Sequence, residues 1–173
     1  ALAVLFVALV ANIELLKYFI SREEYWVGLP AIPYLLFGYL CLGIYMNLSI
    51  WYRLSDQTRY GLYISLVGAV ITIVFNFLLI PKFSYMGSAW VSMLAYAVMM
   101  VISYVLGQKY YPIPYQLGRI LLYLGVSMVL VVLSFWVFDR NIYIGNVLLL
   151  GFIGFIFYRE KDEVRAMLGK GIK

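Results

Sequence analysis

Histidine is absent from this sequence of 173 residues, and charged residues make up only 12% of it. Without histidine, neither a histidine-ligated metal site nor histidine acid–base chemistry is available. Cys41 is the single cysteine, so no disulfide forms within the chain. A soluble domain carries about twice this share of charged residues. We therefore predict that lipid, rather than water, surrounds most of this chain.

Groups that carry out catalysis are also missing. The eight acidic residues include no pair suited to general acid–base work, and no Ser/His/Asp or Cys/His set can be assembled. No glycine-rich phosphate loop is present either. We expect no enzyme activity, no catalytic residue, no metal site, no cofactor and no nucleic-acid partner.

The sequence consists largely of long apolar runs, and 65% of its residues are hydrophobic. A membrane-spanning helix needs ~20 such residues, and backbone in hydrocarbon must satisfy its own hydrogen bonds. We predict an all-α integral membrane protein, a single polytopic bundle of six transmembrane helices followed by a tail at 159–173. The expected spans are 1–19, 27–52, 60–80, 83–108, 119–138 and 141–158. Because the sequence opens on Ala1 inside or just before a helix, we expect a fragment.

The positions of Lys and Arg predict how these helices are oriented. Nine of the 13 basic residues fall on one side, in the gaps near Arg53 and Arg59, near Lys109 and Arg119, and in the tail. The positive-inside rule makes that side cytoplasmic, together with the C-terminus. Many of the 17 tyrosines and 4 tryptophans lie near the ends of the runs, where aromatic belts form.

Few polar side chains lie on the spans, and these are the candidates for function. Glu14 is the only acid on a span; a local ion pair with Lys17 is favoured over an ion or proton site. Asn47 and Asn76 are expected to face other helices or a wet cavity, as interhelical contacts more than as ligand contacts. Further substrate-path or packing candidates are Ser65, Thr72, Arg53 and Arg59. For the two arginines, the positive-inside rule is favoured over substrate contact.

One hairpin carries a family resemblance. Its first run ends Asn76-Phe-Leu-Leu-Ile-Pro81, a short aromatic-containing connector follows, and its second run begins Gly87-Ser-Ala-Trp90. This pattern resembles the C-terminal half of bacterial polysaccharide flippases, in the multidrug/oligosaccharidyl-lipid/polysaccharide exporter superfamily. Ser84 stands where that family often has Gly, and Ser88 where it more often has Ala. The segment Leu40–Thr58 resembles the preceding helix and loop.

The resemblance implies a two-lobed exporter of about twelve to fourteen helices, of which this chain is the C-terminal lobe plus final helices. It also implies a function: translocation of undecaprenyl-pyrophosphate-linked oligosaccharide across the bacterial cytoplasmic membrane for surface polysaccharide or O-antigen export. The partners would be the lipid bilayer, that lipid-linked substrate and an N-terminal half of the same transporter. Two alternatives stay open, a drug or metabolite antiporter of the same superfamily and a structural membrane protein without transport.

Overall fold

The apolar runs fold as helices, as expected for backbone that must satisfy its own hydrogen bonds. The computed structural model describes residues 2–15, 23–110, 117–137 and 142–161, and every regular element among them is helical. In chain order the α-helices are α1 (Leu2–Ala11), α2 (Ile32–Leu48), α3 (Ile50–Leu54), α4 (Arg59–Tyr110), α5 (Leu117–Val132) and α6 (Ile142–Arg159). Tight 3₁₀ turns lie at Ile13–Leu15 and Glu23–Ala31, and a π-helical turn at Leu133–Val137 extends α5.

The chain divides into two compact units. One contains residues 20–119, with α2, α3 and α4; the other combines residues 3–19 with 120–173 and holds most of α1 with α6 and nearly all of α5. In the first unit α2 begins with Pro33 in its first turn, where the missing N–H of proline costs no helical hydrogen bond. Its break at Ser49 is closed by hydrogen bonds from the Ser49 N–H to the Tyr45 carbonyl and from the Ser49 hydroxyl to the Met46 carbonyl.

Helix α4 is a hairpin. It comprises 52 residues, but Ser84 interrupts it with φ 51° and ψ −133°, values that no right-handed helix contains. A straight helix of that length would extend about 78 Å, far beyond the ~30 Å hydrocarbon layer. The chain instead folds back on itself at Ser84. The two arms meet closely at Gly87, where a Cβ would lie only 2.8 Å from the Leu79 carbonyl oxygen. We call residues 59–83 the outer arm and 85–110 the inner arm.

The inner arm packs against α2, and the outer arm contacts the rest of its unit through a narrow stripe. On the outer arm, Ile64 and Gly68 are buried, whereas Leu62, Leu66 and Phe77 are exposed. Gly68 faces Met99 of the inner arm, and Gly38 of α2 faces the Met93 backbone. Such close approaches through small residues are how helices pack when lipid removes the hydrophobic driving force.

Four helical segments are long and apolar enough to cross a membrane, compared with the six predicted: Gly28–Leu54, Arg59–Tyr110, Gly118–Trp136 and Ile142–Arg159. The difference has two sources. The hairpin counts as one segment, although the break at Ser84 divides it into two arms of about 25 residues each. At the N-terminus, α1 has only 10 residues and ends at Ala11. The expected tail at 159–173 lies almost entirely outside the described residues.

Ser84→Gly is expected to stabilise the protein by about 1 kcal/mol, because a side chain at positive φ is strained and glycine removes that strain. The matched control is Ser92→Gly on the inner arm, where the serine hydroxyl donates to the Ser88 carbonyl within a regular helix. That control should lose about 0.5–1 kcal/mol, since glycine weakens a helix interior. Unfolding free energies in mixed micelles test the pair. Loss of stability in both variants would contradict the strained turn.

Candidate functional site

The predicted site residues do not converge on one place. Arg53 and Arg59 are brought to the same end of the α2–α4 unit, where both are exposed on either side of the turn between α3 and α4. Asn47 is exposed, and its amide donates to the Gly43 carbonyl of its own helix at 3.0 Å. Because its side chain is exposed, Asn47 does not face another helix among the described residues. The other expectation, that it faces a wet cavity, stays a prediction.

Asn76, Thr72 and Ser65 lie along the outer arm. Thr72 donates to the Gly68 carbonyl at 2.8 Å, so its hydroxyl is satisfied within the helix. The side-chain oxygen of Asn76 is buried, and no described residue gives it a hydrogen bond. Asn76 also lines a shallow apolar groove with Ile73, Phe77 and Pro81. Since all residues lining that groove belong to one helical segment, it is a helix surface and not an enclosed cavity.

Glu14 lies in the 3₁₀ turn Ile13–Leu15 that follows α1, and it is half-buried. Its predicted ion-pair partner, Lys17, lies outside the described residues. Among the described residues, no group of three or more His, Cys, Asp or Glu side chains is placed to hold a metal ion.

The first unit contains a group of four packed aromatic rings, which we call the ring cluster: Trp51, Tyr52, Tyr60 and Tyr110. Trp51 is its centre and is only 1% exposed. Its ring stacks on Tyr110, with centroids 6.2 Å apart and planes 11° apart, and meets Tyr52 edge-on at 5.4 Å. Tyr60 closes the group, 5.4 Å from Trp51 and 5.0 Å from Tyr110.

Two glycines make this packing possible. A Cβ on Gly107 would lie 2.9 Å from Cδ1 of Trp51, and one on Gly61 would lie 2.9 Å from Cε2 of Tyr52. Both distances are shorter than a Cβ contact allows. The Trp51 ring therefore packs against the inner arm at Gly107, and the Tyr52 ring packs against the outer arm at Gly61. The cluster therefore joins α3 to both ends of the hairpin. The Tyr45 and Tyr52 hydroxyls, 3.3 Å apart, add a buried hydrogen bond beside it.

Basic side chains surround the ring cluster. The Lys109 ammonium lies 5.6 Å from the centroid of the Tyr110 ring, a cation–π distance. Arg59 immediately precedes Tyr60, and Arg53 is close enough to interact electrostatically with Tyr45. Among the described residues, none of these three cations forms an ion pair. The sequence predicted both the basic side and the aromatic belt, but not that the rings stack on one another around a buried tryptophan.

The second unit is held by a reciprocal pair of amides. Asn12 donates from Nδ2 to Oδ1 of Asn146 at 3.1 Å, and Asn146 returns the same bond at 3.2 Å. Each amide also donates to the carbonyl four residues earlier, at 3.0 Å. Beside the pair, a Cβ on Gly145 would lie 3.1 Å from the Ala11 Cβ. Sequence reasoning missed the role of Asn12, although an amide within the predicted span 1–19 was the available signal.

Asn12→Leu and Asn146→Leu are each expected to cost about 1–2 kcal/mol, because each leaves the other amide without its partner. The double variant should cost little more than either single one, giving a coupling energy of about 1 kcal/mol. Unfolding in mixed micelles gives the four free energies. Asn47→Leu is the control and should change stability by less than about 0.5 kcal/mol, since its amide faces outward. Strict additivity of the two single changes would contradict the pairing.

Comparisons with protein-family models, with curated proteins and with solved structures find no match to this chain. The structure defines the class of protein: a helical chain with several segments that are long and apolar enough to cross a membrane. The resemblance to polysaccharide flippases rests on sequence alone, on the hairpin motif and on the segment Leu40–Thr58.

Proposed function

We propose that this chain is part of a bacterial flippase that moves undecaprenyl-pyrophosphate-linked oligosaccharide across the cytoplasmic membrane. The observation that carries the proposal is the hairpin turn. Gly87, one of the residues that carry the resemblance, lies where a side chain would meet the Leu79 backbone, and Ser84, where the family often has Gly, has positive φ. Glycine suits both positions. The family pattern therefore fits the turn of this hairpin and supports the proposal, although Ser84 departs from that pattern.

In this proposal the two arms cross the membrane separately, and the N-terminal run adds a further span, which gives the six spans expected from the sequence. Arg59 and Lys109, at the two ends of the hairpin, then share the cytoplasmic side with the C-terminus, and Lys82 at the turn lies outside. The bacterial cytoplasmic membrane is the proposed location.

The physical task is to lower the cost of carrying a charged sugar–pyrophosphate head through hydrocarbon. A hydrated cavity between two lobes that rock to alternate access would do so. Within the described spans, the basic residues lie at helix ends or at the turn, so mid-membrane cations of such a cavity would come from an N-terminal half. Ser65, Thr72 and Asn76 are then packing residues of the hairpin more than substrate contacts.

The antiporter alternative needs an acid inside the membrane for ion coupling. Glu14 is the only acidic candidate on a predicted span, and it lies in a turn beyond the end of α1. Experiment separates the flippase both from the antiporter and from a structural protein without transport.

Deletion of the complete gene that encodes this chain tests the proposal. We expect loss of surface glycan, with lipid-linked oligosaccharide accumulating on the cytoplasmic leaflet, and recovery of both on complementation. The measurement is the accessibility of lipid-linked glycan to an impermeant lectin or glycosidase in oriented vesicles. Unchanged surface glycan would refute the function. Unchanged glycan with raised sensitivity to toxic compounds would instead favour the antiporter.

A further inference from the structure

Three basic residues belong to the segments that carry the ring cluster. Lys109 has a ring contact, and Arg53 and Arg59 are exposed and follow Tyr52 and precede Tyr60 in the sequence. Lys109 lies over Tyr110, and Tyr110 stacks on Trp51. Arg59 adjoins Tyr60, whose ring is 5.0 Å from that of Tyr110. The packing of the ring cluster therefore gathers charges from positions far apart in the sequence. Trp51, at the centre of the cluster, is buried and packs closely against Gly107.

This end of the unit carries an excess of positive charge with little to neutralise it. Asp56 is the only acid in the turn between α3 and α4, and it is exposed. Among the described residues neither Asp56 nor any of the three cations is in an ion pair. A guanidinium presents several donors in a fixed plane that matches phosphate oxygens, and an ammonium supplies a point charge. The group that such an arrangement favours is an anionic phosphate.

The surroundings favour a lipid as the source of that phosphate. The Tyr60 ring contacts Tyr63 at 6.5 Å, and Tyr63 is 58% exposed. From there the exposed face of the outer arm continues through Leu62, Leu66 and Val70, all of them apolar. An apolar helix face thus lies beside the cations. The acyl chains of a lipid whose phosphate is bound there can lie along that face. Aromatic rings with basic neighbours also mark the membrane interface, where lipid headgroups are found.

We propose that this end of the unit, formed by Arg53, Arg59 and Lys109 around the ring cluster, is a binding site for the headgroup of an anionic phospholipid. The site goes beyond the proposed transport function and does not depend on it. The cations contact the phosphate, the ring cluster packs together the segments that carry them, and the outer arm receives the acyl chains.

The test measures lipid binding to the purified chain in detergent micelles by native mass spectrometry. The probes are phosphatidylglycerol and phosphatidylcholine with identical acyl chains, and sn-glycerol 3-phosphate as a headgroup without chains. We expect phosphatidylglycerol to bind at least ~10-fold more tightly than phosphatidylcholine, since each basic residue near an anionic surface contributes favourably. Glycerol phosphate in excess should not displace it.

The variant R53Q/R59Q/K109Q should lose this preference, with at least a ~10-fold fall in phosphatidylglycerol affinity. The charge-matched control K82Q/R159Q/K161Q removes three exposed cations elsewhere and should change affinity less than ~2-fold. Equal losses in both triple variants, or no preference for phosphatidylglycerol in the unaltered chain, would overturn the proposal. Displacement by glycerol phosphate alone would overturn it too, because the site would then be one for free phosphate compounds. Should the triple variant fail to fold, the single variants R53Q, R59Q and K109Q carry the test: each should lower the affinity for phosphatidylglycerol, whereas K82Q should not.

Discussion

Gly87→Val is expected to destabilise the helical hairpin by about 2–3 kcal/mol. A side chain at this position meets the carbonyl oxygen of Leu79 at 2.8 Å and its carbonyl carbon at 3.0 Å. These are backbone atoms, which cannot rotate away as a side chain does, so the two arms must separate. Overpacking of this kind costs about 1–3 kcal/mol in a closely packed interior. The measurement is the free energy of unfolding in mixed micelles.

Gly125→Val provides the matched control. Gly125 lies inside α5 with nothing within 4 Å of the position that a Cβ would take. Valine and glycine differ by only a few tenths of a kcal/mol in helix propensity, so the control should be near neutral. Equal destabilisation by the two valines would mean that the arms of α4 do not meet at Gly87.

Trp51→Ala is expected to have an effect of similar size, about 3 kcal/mol. Trp51 is almost fully buried and contacts three other rings, so its removal leaves a cavity between α3 and both ends of the hairpin. In a membrane the loss is mainly one of van der Waals contacts, since lipid is as apolar as the protein interior. Unfolding free energy and the near-ultraviolet circular dichroism of the stacked rings report it.

Two further tryptophan variants sharpen this test. Trp136→Ala should cost little in micelles, because Trp136 is 67% exposed. Trp51→Phe should cost only about 1 kcal/mol, since the buried indole N–H forms no hydrogen bond with any described residue and phenylalanine retains a ring. If Trp51→Ala were no worse than Trp136→Ala, the ring cluster would not be a stabilising core.

Hydropathy predicted which segments are helical but not which way their side chains face. A helix in water shows its buried side as an apolar stripe, whereas a helix in lipid is apolar on every side. Asn47 illustrates the consequence: it is an amide on a predicted span, and its side chain is exposed instead of facing another described helix. Asn12 and Asn146 do pair across helices, and no local pattern distinguishes their sequence context from that of Asn47.

The turn was more predictable than the ring cluster for a related reason. Pro81, Ser84 and Gly87 lie within a few residues of one another, so their joint effect on the backbone is visible in a short window. The cluster instead depends on Gly107 meeting Trp51, a contact between residues far apart in sequence. Glycine and tryptophan have many roles in membrane helices, and only the folded chain shows that these two fit each other.

The proposed function requires that the outer and inner arms cross the membrane separately. Single cysteines at Arg59, Lys82 and Lys109, in a Cys41→Ala background, test this by labelling with an impermeant maleimide in intact and permeabilised cells. We predict that position 82 is labelled in intact cells, and that positions 59 and 109 are labelled only after permeabilisation. Labelling of all three positions from the same side would contradict the two crossings.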